Sequence, residues 1–110
     1  MSRSDTMKDA LAQAYADQVA EISLHDGAAG TDGSNEIVTI TRAAVSWPDP
    51  PTAGVIVSAP GSFDVPDGTV LVEIGLWNGT GDFLDSFVNN ITFVGETTYG
   101  VTLRYTQDGA

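Results

Sequence analysis

Residues able to do chemistry are few in this chain and poorly spaced for it. His25 is the single histidine, and no serine stands in a Gly-x-Ser-x-Gly elbow. A Ser-His-Asp relay would therefore have to be assembled by the fold from distant parts. Paired carboxylates could hydrolyse a glycosidic bond, and Asp82 with Asp85 is one such pair, although solvent-facing charge is the simpler use of both. The only lysine, Lys8, precedes every glycine-rich loop, so no loop is followed by the lysine that phosphate binding needs. There is no cysteine, which removes disulfides and thiolate metal sites and leaves the redox compartment open.

Two groups of residues could bind something. Asp26, Asp32, Asn35 and Glu36 set hard oxygen ligands around a glycine-rich loop, the donor type calcium takes, but in no EF-hand spacing. The same residue types are ordinary turn formers. Trp47 and Trp77 could offer flat faces for stacking on sugar, or could simply end strands by packing. Asn78-Gly79-Thr80 and Asn90-Ile91-Thr92 match glycan acceptor triplets, which matter only on a secretory route. No catalytic, cofactor-binding or metal-ligating residue is assigned on these grounds.

The elements that must carry these residues follow from periodicity. From Asp5 to about Ile22, Met7, Leu11, Ala14, Tyr15, Gln18 and Ile22 recur at steps of three and four. That spacing predicts an amphipathic helix over residues 5–20, with Ser4 or Asp5 as cap and that stripe as its packing face. It could lie on its own sheet or reach a neighbouring subunit. Alternation then begins: Ile22 and Leu24 against Glu21, Ser23 and His25 predict a half-buried strand, followed by a surface loop over residues 26–35.

Strands are expected over residues 36–47, with a bulge or break near Ala43 and Ala44, and over residues 54–59, 69–77, 83–88, 90–94 and 99–106. A short pairing segment fills residues 62–65. In the run 69–77, Val70, Val72, Ile74 and Leu76 share one face, and turn residues stand on both sides: Val65-Pro66-Asp67-Gly68 before it, Asn78-Gly79-Thr80-Gly81 after it. This marks it as central. The pattern predicts a mainly β chain: a single domain over residues 1–110, with the helix followed by a β-sandwich of about seven antiparallel strands over residues 21–106, immunoglobulin-like or jelly-roll-like.

Fifteen acidic residues oppose Arg3, Lys8, Arg42 and Arg104, a formal net charge of −11. Such a surface repels phosphate backbones and anionic headgroups, so neither nucleic acid nor membrane is expected as a partner. Apolar residues make up 42% of the chain and fall in periodic blocks, which argues against disorder. No apolar run is long enough for a signal core or a membrane span, so a soluble, unprocessed chain is expected.

Several segments in order resemble a family. They are Ser23-Leu24-His25-Asp26, Gly30-Thr31-Asp32-Gly33-Ser34-Asn35-Glu36, Arg42-Ala43-Ala44-Val45-Ser46-Trp47, Phe63-Asp64-Val65-Pro66-Asp67-Gly68-Thr69, and Gly75-Leu76-Trp77 with Phe83-Leu84. Their order is similar to that in small virion proteins of tailed phages infecting actinobacteria, commonly labelled phage tail fibre proteins. The likeness runs over about residues 7 to 105, and departs where Gly27-Ala28-Ala29 replaces an Asp-Pro-Gly turn. The resemblance implies a non-enzymatic structural protein of the virion, made in the host cytoplasm and assembled with other virion proteins, with homo-oligomers on the particle. A capsid decoration (minor capsid) protein is the favoured form, bound to the major capsid protein. A tail or tail-fibre component binding host-surface carbohydrate is the alternative. The family offers no catalytic residues or cofactor to transfer.

Overall fold

Ser4 opens the first element by accepting a hydrogen bond from the Met7 amide, and the helix α1 then runs Asp5–Gln18. These and all later statements concern residues 4–107, the part of the chain that the computed structural model describes. The helix stops short of residue 20 because Val19 takes an extended backbone, and the Ala20 amide bonds to the Trp77 carbonyl at 2.8 Å. From that point sheet hydrogen bonds replace helical ones.

The face that α1 buries matches the predicted stripe only at Tyr15 and, in part, Leu11. Ala12 and Ala16 are buried and Tyr15 is partly covered, whereas Met7 is 52% exposed and Ala14 and Gln18 face solvent. The helix lies close against Ile56 and Tyr105, and methyl side chains at the contact allow that approach. Tyr15 stacks on Tyr105 with ring centroids 4.0 Å apart. The helix thus packs on the chain's own strands. Ile22, the last residue of the predicted stripe, belongs to the first strand.

The strands are β1 Glu21–His25, β2 Ala43–Ala44, β3 Val55–Val57, β4 Gly61–Val65, β5 Val70–Trp77, β6 Phe83–Thr92, β7 Thr97–Val101 and β8 Arg104–Thr106. They form a four-stranded sheet in the order β2-β1-β5-β6 and two pairs, β3-β8 and β4-β7, all antiparallel. The protein is mainly β, with several antiparallel sheets and one N-terminal helix, in a small sandwich-like arrangement. Ile22, Leu24, Ile74 and Leu76 from the large sheet meet Phe63, Val65, Val101 and Leu103 in the main core.

Four expected strands are arranged differently. Within residues 36–47 only Ala43 and Ala44 join a ladder, beside an isolated bridge from Glu36 to His25, so the expected break site is the piece built into the sheet. Upstream the chain turns, with the Ile40 amide bonded to the Ile37 carbonyl. That turn lets Ile40 be buried and Ile37 pack against the core, and leaves Val38 85% exposed. Residues 83–94, expected as two strands, hold the single ten-residue β6, which absorbs two register shifts against β5. The last strand instead divides into β7 and β8 at Thr102 and Leu103, where the Leu103 amide donates to Ser58 Oγ, so that its halves pair with β4 and β3.

Strand β5 is central, as expected, but its phase changes along its length. Leu71 is buried and Val70 is 48% exposed, while Ile74 and Leu76 fill the core. The change of phase coincides with the register shift between Leu71 and Glu73.

Candidate functional site

The polar residues of β1 form a buried network built around the histidine ring. Side chains of a strand alternate between faces, and Ile22 and Leu24 take the core side, which sends Ser23 and His25 to the outer face. That face was expected to be half-exposed. Instead Ser23 and His25 are only 1% and 0% exposed, because residues 26–36 fold back over them.

Contacts of Gly33 and Gly75 show how tight this cover is. A Cβ at Gly33, whose φ is +80°, would overlap the Trp77 ring. At Gly75, paired with Ser23, a Cβ would stand 2.5 Å from His25 Nε2 and 2.7 Å from Ser23 Oγ.

Hydrogen-bond roles in the network follow from its acceptors. His25 Nδ1 lies 2.8 Å from the Ser34 carbonyl oxygen, which can only accept, so Nδ1 carries the proton. Nε2 then accepts from the Ser23 hydroxyl at 2.6 Å, and Ser23 Oγ in turn accepts from Trp77 Nε1 at 2.7 Å. Every polar atom of the three side chains is thereby used. The Ser23–His25 geometry is that of a nucleophile beside a base, but a backbone carbonyl, not a carboxylate, orients the ring, and Trp77, Phe83 and the covering loop close the approach. In this form the group fastens the loop to the sheet.

Arg42 completes the clasp from outside. Its guanidinium lies 3.7 Å from the centroid of the Trp77 ring, donates to both Glu36 carboxylate oxygens at 2.8 and 2.9 Å, and reaches Glu21 at 3.4 Å. Those hydrogen bonds from Arg42 hold the Glu36 carboxyl below the usual glutamate range, against the opposing effect of burial. Alternation of polar residues in β1 was a visible signal for the Ser23–His25 pair. Nothing in residue order linked Arg42 to Trp77.

Most of the other sequence-predicted candidates are spent locally, while Asp26 is exposed with its amide bonded to the Asn35 carbonyl. Asp32 accepts from the Ser34 amide and hydroxyl, Asn35 donates to the Ala28 carbonyl, and Glu36 belongs to Arg42. Among the described residues no group of three or more His, Cys, Asp or Glu side chains could hold a metal ion. Asp82 accepts from Asn78 and Thr80 within its turn, while Asp85 sits in β6 opposite Leu76. Trp77 is 8% exposed beneath Arg42, and Trp47 is half-buried against both apolar clusters with its indole N–H unpartnered. The two rings are therefore packed, and no shared stacking platform forms. Asn78 locks the β5–β6 turn by accepting from Thr80 and Asp82 amides.

What remains accessible is an edge. Strand β6 ends the large sheet, and exposes Leu84, Phe87 and Val88, the last at 67%. Phe87 pairs with the core residue Ile74 and so turns to the inner side, where it lines a cleft of about 300 Å³ with Tyr15, Thr102, Leu103 and Arg104. Burial, and then the Asp85 carboxylate and Tyr105, hold the Tyr15 phenol above its ordinary range. No family model, curated protein or solved structure matches this chain.

Proposed function

We propose that this chain is a non-enzymatic structural module of a tailed-phage virion, set on the particle surface as a capsid decoration protein. The ordered segments that resemble small actinobacteriophage virion proteins support the reading from sequence. The observation that carries it in the fold is β6, a ten-residue strand with one edge unpaired among the described residues and with exposed Leu84, Phe87 and Val88. An edge of this kind offers main-chain donors and acceptors together with apolar area, which is what a lattice neighbour needs and a solitary molecule avoids. The acidic surface, with a net charge of −11, turns away from packaged DNA and toward protein partners.

Quantitative proteomics of purified particles tests this. Copy numbers on the scale of the shell lattice support decoration, numbers on the scale of the tail tip move the protein to the tail, and absence from the particle ends the virion reading.

A further inference from the structure

The free edge of β6 and the cleft beside it form one continuous surface, and we propose that it receives an extended, apolar and net basic segment of a partner protein as an added strand. This deepens the assembly reading and rests on it only for the partner being another virion protein.

Backbone geometry comes first. One side of β6 is used by β5, and among the described residues no strand pairs with the other. At the far end of the sheet, β2 contributes only two residues beside the paired Arg42, so it offers little to add to. Register shifts flank residues 85–88 of β6, and between them the pairing is regular: Asp85 with Leu76, Ser86 with Gly75, Phe87 with Ile74, Val88 with Glu73. Natural edges are commonly blocked by lysine or proline, and β6 contains neither.

Side chains then define what an added strand would present. Its alternate residues would fall either toward Phe87 and the cleft or toward Val88 on the opposite face. A cleft of about 300 Å³ walled by Tyr15, Phe87 and Leu103 suits one apolar anchor.

Charge selects among occupants. Asp85 lies in the strand and Asp82 in the adjoining turn, and Arg104 is the one cation lining the cleft. The chain as a whole carries −11, so a second copy or an acidic segment approaches against repulsion, and a basic one with attraction.

The full chain can be titrated with a synthetic peptide of alternating valine and lysine, as long as β6, and followed by amide NMR. Saturable shifts are expected at residues 84–91 and 102–104. N-methylation of alternate peptide residues removes main-chain hydrogen bonds and should weaken binding about tenfold. A valine–glutamate peptide should not bind at the same concentrations. Val88→Lys should weaken the valine–lysine complex, with Leu84→Lys as the substitute if that variant does not fold.

Equal binding of the N-methylated or glutamate peptide, shifts scattered over the acidic surface, or no binding would each overturn the proposal. So would sedimentation showing dimers whose protected amides include residues 84–91, since the occupant would then be a second copy. Particles that lack the chain would end the virion reading and leave the peptide result standing. Normal incorporation of Val88→Lys into particles that do contain the chain would reject this edge as the docking site alone.

Discussion

Trp77 carries three jobs at once: its indole N–H supplies Ser23, its face receives Arg42, and its edge leaves room for Gly33 and nothing larger. Gly33→Ala adds a methyl that meets that ring at a backbone angle, φ +80°, that alanine resists. It should destabilise the protein by about 2 kcal/mol or more, read from urea unfolding. Glu36 gives a pH signature. Its carboxyl is held low in the folded protein by Arg42, so its contribution is complete above the ordinary glutamate range, about 4.3, and is lost as pH falls through the lowered folded value. Glu36→Gln should therefore lose stability at pH 7 and show a shallower acid decline than the parent. Urea midpoints at neutral and acidic pH for both proteins check this. Of this cluster, the shared face of Ser23 and His25 was legible from period-two alternation. Its burial was not, because a loop rich in Gly, Asp and Ala has the same composition whether it is solvated or folded over a sheet.

Among the elements, α1 separates periodicity from packing most clearly. Helical spacing pointed to Met7, Leu11, Ala14, Tyr15 and Gln18 as the contact stripe, yet the docked face centres on Ala12 and Ala16 against Ile56 and shares only Tyr15 fully with it. Ala16→Leu should overpack that contact and cost about 1–3 kcal/mol. Met7→Lys, on the predicted face, should change stability by no more than about 0.5 kcal/mol. Thermal or urea unfolding of the two variants discriminates the faces directly, and equal losses would mean that the helix sits differently. The C-terminal strand teaches the same lesson. Its alternation runs unbroken from Tyr99 to Thr106, but hydrogen bonding to two different partners, β4 and β3, divides it at Thr102 and Leu103.

For the molecule as a whole, charge is the property with the longest reach. Fifteen acids against four bases repel one another in a body with principal extents of 47 × 25 × 25 Å. Moderate sodium chloride should screen that repulsion and raise the melting temperature by roughly 2 °C or more, despite weakening the partly exposed Arg42–Glu36 pair. A melting temperature that falls with salt would place ion pairs above self-repulsion in this fold. Residue order alone was enough to specify a leading helix, short antiparallel strands, the turns at Pro66-Asp67-Gly68 and Asn78-Gly79-Thr80-Gly81, and the central β5, because each depends on neighbours a few positions apart. Which helix face docks, where a strand divides, how residues 26–36 come to roof His25, and that no described strand pairs with the outer edge of β6 depend on contacts between segments far apart in the chain. Local propensity is worth fractions of a kcal/mol at each position, and burial and pairing among those distant segments outweigh it.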